Sequence, residues 1–219
     1  LRCRERALAC AHEQAEGFVQ TEMRKAAMDL HTRDQAREGK QRAQKPVAKW
    51  TPTLSGYLQF LVDSRVVYEA MERVVDESEA LAGLRNTGLE RTKALDADIA
   101  WFEREKGLAA PAPSAAAEQY ATDLPAMALP AFICHFYNYY FAHTAGGRMI
   151  GKQMSDMLLD GFVLEFYKWD GEVSEMLAAT RAEIDRMAAG WSDAERAECL
   201  AETAATFKSS GGLLASLKA

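Results

Sequence analysis

From Phe132 to Gly151 the chain carries a dense run of aromatics, two of its four histidines and a side-by-side glycine pair, with no proline to break it. Apolar residues continue at helical spacing through Met154, Met157 and Leu158. The spacing therefore predicts one long helix from about Pro130 to Leu159. An interior glycine costs a helix about 1 kcal/mol relative to alanine. A helix that accepts two, at Gly146 and Gly147, needs either a kink or a very close approach to its backbone. His143, Gly146, Gly147 and Ile150 fall at i, i+3, i+4 and i+7, so they share one face. That face is nearly bare backbone with a histidine one turn before it. Gly147 and Gly151 also make a small-xxx-small pair, and the spacing by itself serves helix packing better than a ligand.

The remaining chain repeats the helical period. A first helical pattern runs from about Glu5 to Arg37, with breaks near Gly17 and Gly39 and Thr21 as an internal N-cap. Within it Met23, Ala27, Leu30 and His31 share a face, which puts His31 on or beside the buried stripe. Residues 39–52 read as a polar loop broken by Pro46 and Pro52. Helices are expected from Leu54 to about Glu79 and from about Gly88 to Lys106. Residues 107–126, with Pro111, Pro113, Pro125 and an alanine run, are expected as a surface connection with at most one short helix. The aromatic stretch Gly161 to Gly171 reads as an ordered loop. Two more amphipathic helices follow, Glu172 to Met187 and Ser192 to Leu217, the second interrupted at Gly211-Gly212. No segment alternates with the period of a strand. The fold class is all-α, a multi-helix bundle forming a single domain over residues 1–219.

Bulk properties remove several functions. At 48% apolar and 26% charged residues, the chain can bury a full core. No apolar run approaches the roughly 20 residues that span a bilayer. A net charge of −6 argues against general nucleic-acid binding. Charge is uneven, however: Arg33, Arg37, Lys40, Arg42, Lys45 and Lys49 are opposed only by Asp34 and Glu38. Such a basic rim suits an anionic small ligand or an acidic partner. Cys3, Cys10, Cys134 and Cys199 have no metal-binding spacing and are expected as reduced thiols. Leu1 in place of methionine predicts a processed N-terminus.

Helical metal chemistry is narrowed in the same way. A di-iron bundle needs Glu three residues before a ligating histidine. Those positions hold Ala9, Met28, Phe132 and Tyr140. No His-Glu-x-x-His, nucleophile elbow or phosphate-cradling loop occurs. Cys134 beside His135 points about 100° away from it on a helix, and reads as core. What remains is a histidine on an early helix, a bare helix face and a basic rim. A haem clamped between two helices uses all three: an axial nitrogen, close backbone opposite, and cations for the propionates.

Four separated motifs then carry a resemblance. Leu30-His31-Thr32-Arg33-Asp34-Gln35-Ala36-Arg37-Glu38-Gly39 is similar to the proximal helix of the haem oxygenases of plant and algal plastids, and Phe132 to Gly151 to their distal helix. Asn86-Thr87-Gly88-Leu89-Glu90-Arg91 and Glu165-Phe166-Tyr167-Lys168-Trp169-Asp170-Gly171 resemble the same branch. The likeness runs from about Gly17 to the C-terminus, excepting residues 107–126. It implies His31 as the axial iron ligand, Gly146 and Gly147 as the distal contact, Arg24 and Arg181 as propionate partners, Tyr137 at the haem edge and Phe207 in the pocket wall. His143 stands where animal and many bacterial forms have aspartate. An imidazole there is expected to hold a water over the iron and supply a proton. The resemblance further implies haem b as both substrate and prosthetic group, O2, electrons from ferredoxin, and biliverdin IXα, carbon monoxide and Fe2+ as products. It implies a monomer in the chloroplast stroma, freed of a transit peptide, whose product passes to a downstream bilin reductase. A sensor or carrier that binds haem without turning it over is the alternative.

Overall fold

A computed structural model describes residues 17–30 and 50–217. His31 and the basic run from Arg33 to Lys49 lie outside the described residues. Among those described there is helix and loop but no strand. The first element is a π-helical turn, Val19–Met23, running straight into α1, Arg24–Leu30. Phe18, Val19 and Met23 are buried. Leu30, placed with them by the sequence pattern, is instead 46% exposed.

Helix α2, Leu54–Glu77, is the central strut. Thr53 caps it by accepting the Gly56 N–H at 3.0 Å. Its buried residues Tyr57, Leu61, Ser64, Tyr68, Met71 and Val75 recur at three- and four-residue steps, which lets one helix present a continuous, largely apolar face. Packed around it are α3, Thr92–Lys106, α4, Ala115–Asp123, and the closing turn Leu214–Leu217. Helix α3 starts later than its periodicity predicts. Asn86 and Gly88 adopt positive φ, 54° and 83°, and Glu90 accepts the Thr87 and Gly88 N–H groups, which fixes a tight turn there instead.

The 107–126 connection is more than a surface strap. Ala117, Tyr120 and Leu124 are at most 4% exposed, and α4 seats them against α2. Then come α5, Leu129–Ala142, a π-helical turn, His143–Gly147, and α6, Arg148–Leu158, as one unbroken helical path. A short turn, Glu165–Tyr167, leads to α7, Val173–Ala188. Helix α8, Asp193–Ala201, opens with a Ser192/Glu195 capping box, and α9, Thr203–Leu213, completes the set. The last pair separates at Glu202 and not at Gly211-Gly212, which stay helical. The Glu202 carboxylate turns inward to His135, 3.2 Å away, and Thr203 is buried beside Cys134, 3.5 Å away. Those tertiary contacts set the break where local propensity does not.

Candidate functional site: the distal helix and the arginine pair

In α5 every residue from Pro130 to Tyr140 is buried, so this helix is surrounded. Burial lapses at Phe141 and Ala142 and returns at the first residue of the π turn. One turn of wider helix admits an extra residue, and such bulges concentrate at functional sites. Its first residue, His143, is 8% exposed. The ring stacks on Phe166 with centroids 4.0 Å apart and lies near Tyr68, Tyr167 and Trp169. His143 Nε2 is 2.8 Å from the Phe166 carbonyl oxygen. A carbonyl only accepts, so Nε2 carries the hydrogen. Burial pulls the imidazole pKa down to about 3; the Phe166 carbonyl opposes this, and Arg91 and Arg148 add to it. The ring is therefore neutral at ordinary pH, with Nδ1 as a bare acceptor.

The glycines flank this ring in different ways. A Cβ on Gly147 would stand 2.7 Å from His143 Nδ1, so the missing side chain makes room for the imidazole. A Cβ on Gly146 would meet no heavy atom within 4 Å beyond its own helix. Gly151 receives the Tyr167 ring, whose atoms lie 2.5–2.6 Å from where its Cβ would be. The close approach expected of this face is thus made by aromatic rings, and only Gly146 leaves the backbone bare.

Less than two turns before His143, Tyr137 is 7% exposed and lies against Phe141, centroids 4.5 Å apart. Burial raises the Tyr137 hydroxyl pKa, while Arg181 and then Arg24 pull it back. Arg181 on α7 and Arg24 on α1 thus lie close enough to Tyr137 on α5 to act on its charge. The Arg181 guanidinium sits 5.4 Å over the Phe141 ring. Neither Arg24 nor Arg181 forms a salt bridge with a described residue. Asp185 acts on Tyr137 too, but its Oδ1 already accepts the Val19 N–H at 2.8 Å, which ties α7 to the start of α1. Among the described residues these two cations have no carboxylate partner, and with a tyrosine and aromatic walls nearby they are free to take the carboxylates of a ligand. Phe207 on α9 is half-buried. His31 follows α1 directly in the chain, outside the described residues.

Sequence reasoning missed the support beneath His143. Glu165 N–H and Phe166 N–H donate to the two carboxylate oxygens of Asp98, each at 2.8 Å. Asp98 is 2% exposed, and burial raises its pKa to about 6 against the pull of those two N–H groups. Its signal was available: Leu95, Asp98 and Phe102 fall at i, i+3 and i+7, a carboxylate in the middle of an apolar stripe. Among the described residues no group of three His, Cys, Asp or Glu side chains is arranged for a metal ion, and no helix is long and apolar enough to cross a membrane.

The chain is similar to known proteins over most of its length. The heme oxygenase family model matches residues 18–215. Heme oxygenase 1, chloroplastic, of Arabidopsis thaliana is 47% identical over 210 residues, covering 92% of this chain and 74% of the relative. The protein of the same description from Oryza sativa subsp. japonica is 49% identical over 216 residues, covering 96% and 74%. A probable inactive heme oxygenase 2, chloroplastic, from the same rice is 42% identical over 171 residues, covering 76% of this chain and 52% of that relative. In structure, heme oxygenase-1 of the cyanobacterium Synechocystis sp. PCC6803, solved in complex with heme, superposes with a TM-score of 0.60 at 15% identity, covering 90% of this chain and 83% of that one. That likeness establishes the fold. The chain belongs to the heme oxygenase family.

Proposed function

We propose that this haem oxygenase opens haem b at its α-meso edge with O2 and electrons from reduced ferredoxin, giving biliverdin IXα, carbon monoxide and Fe2+. The observation that carries the reading is the nearness of Arg24 and Arg181 to Tyr137, on the helix that presents the bare Gly146. Haem, when bound, supplies an iron that activates oxygen and a ring that is itself the substrate. The chain's own residues bind and orient it. Arg24 and Arg181 take the propionates, and an arginine–carboxylate contact gives direction as well as energy. Tyr137 and Phe207 would contact the bound ring, and His31 would hold its iron. Gly146 and Gly147 would let a ligand approach the backbone closely on the oxygen side, beside the aromatic wall around His143.

Further parts of the reading rest on relatedness to the chloroplastic enzymes. These are a location in the plastid stroma after removal of a transit peptide, action as one monomeric domain over residues 1–219, and transfer of the bilin to a reductase. The basic run Arg33 to Lys49 suits an acidic electron donor. The test is a haem titration followed by ferredoxin-driven turnover. His31→Ala should abolish bilin formation with partial rescue by imidazole; full activity without rescue removes His31 from its role. Likeness to a probable inactive relative favours a second reading, haem binding without turnover. A Soret band that persists in haem-loaded protein given O2 and reductant would establish it.

A further inference from the structure

We infer that Asp98 is a positioning residue of the distal site: by gripping the Glu165–Tyr167 turn it locks His143 in one tautomer and makes the ring a hydrogen-bond acceptor. This rests on the haem oxygenase reading above. Its two oxygens accept consecutive N–H groups, Glu165 to Oδ1 and Phe166 to Oδ2, each at 2.8 Å. A carboxylate is the one side chain of this size that accepts twice and donates nothing. The residue whose N–H is held in this way, Phe166, offers its carbonyl to His143 Nε2 at 2.8 Å and its ring to the imidazole face. The turn is seated on a second side as well: the Tyr167 ring fills the notch at Gly151, and its hydroxyl accepts from Tyr57 at 3.2 Å. Helix α3 thus determines, through one turn, which imidazole nitrogen on the distal helix carries the hydrogen. The nitrogen left bare, Nδ1, lies over Gly147. From there it accepts a hydrogen bond from a distal water or ligand group and does not donate one.

Nitrogen-15 NMR of histidine-labelled, haem-free protein reads this directly, before any turnover. The parent should show His143 protonated at Nε2 and unprotonated at Nδ1. In Asp98→Asn the amide accepts one N–H and turns an NH2 against the other, so the turn loosens. A mixture of tautomers is expected, with kcat down about fivefold and the KM for haem unchanged. If Asp98→Asn lowers only the melting temperature and leaves tautomer and kcat alone, Asp98 is structural and the inference falls. If that variant does not fold, Asp98→Ser, too short to hold both N–H groups, is read in the same way, and an unaltered tautomer and kcat there overturn the inference equally. A parent that holds haem without consuming it sinks the functional reading while the tautomer assignment stands or falls separately.

Discussion

Helices α5 and α6 follow one another along a single helical path, yet their surroundings are opposite. Residues Pro130 to Tyr140 of α5 are all buried, whereas α6 buries Gly151, Met154 and Ser155 and leaves Met149 and Met157 44% and 49% exposed. One buried histidine lies within α5, His135, and a second opens the π turn that leads into α6, His143. His135 uses both ring nitrogens on side chains: Nε2–H donates to Glu202 at 3.2 Å, and Nδ1 accepts from the Tyr120 hydroxyl at 2.8 Å. It joins α4 to the α8–α9 junction and has nothing left to offer. His143 uses one nitrogen on a backbone carbonyl and keeps the other. Full satisfaction marks the histidine that holds the bundle together; half satisfaction marks the one that serves a site.

The comparison is broken most forcefully at His135. His135→Ala leaves the Tyr120 hydroxyl buried without a partner and a cavity beside it. A loss of about 3 kcal/mol is expected, read by urea denaturation of the haem-free protein, with the KM for haem and the product isomer unchanged. Loss of turnover at full stability would place His135 in the chemistry and erase the distinction.

Acid sharpens it next. His143 titrates at about 3 when folded against 6.5 for a free imidazole, so between those values the unfolded chain binds the extra proton. The stability that depends on a neutral His143 is intact above pH 6.5 and drains away as pH falls toward 3. At pH 5 the expected loss is about 2 kcal/mol. Asp98 acts in the opposite sense, its folded pKa being raised from 3.8 to about 6, so stability from that group rises as pH drops through this range. The difference between the parent and His143→Gln removes the Asp98 contribution. Parallel stability–pH curves for the two would show that His143 is not buried as a neutral group.

Gly147→Ala tests the seat of the same ring. Its Cβ would arrive 2.7 Å from Nδ1, and a buried ring bonded at its far nitrogen has no easy retreat. Losing the Phe166 contact costs about 1–3 kcal/mol, and better helix propensity returns about 1. A net loss of about 1 kcal/mol in the haem-free protein is expected. Unchanged thermal stability would mean that the imidazole moves freely.

Much of this was legible in the sequence, because helical periodicity reports burial directly. The long helix around Gly146-Gly147 follows from spacing, and so does the Leu54 helix. Failures came where tertiary contacts outweigh local preference. The 107–126 segment looked like a strap because alanine and proline carry little periodic signal, yet Tyr120 reaches the core. The Glu202 break is set by His135, 67 residues away in the chain. In the site, the spacing of His143, Gly146 and Gly147 served packing better than a ligand, and the ligand face came with the early histidine, the basic rim and the family resemblance. Spacing marks Asp98 as a carboxylate in an apolar stripe, but what it holds could not be read there, since its support of Phe166 passes through backbone atoms that every residue possesses.

The smallest effect expected is also the one that separates the two glycines. Gly146 and Gly147 are neighbours in one helical turn, and both share the face of His143. In the structure a Cβ on Gly146 has no heavy atom within 4 Å beyond its own helix. Gly146→Ala should therefore gain helix propensity without a clash, raising the stability of the haem-free protein by up to about 1 kcal/mol, while Gly147→Ala lowers it. The gain should be confined to the haem-free state. A methyl group on the bare face crowds whatever lies across it, so haem affinity or regiochemistry should suffer in the variant that is otherwise more stable. Calorimetry of the two alanine variants, each with and without haem, decides it. Equal shifts in both would mean that the glycine pair acts as one flexible unit, and that neither residue is dedicated to the imidazole or to the ligand face.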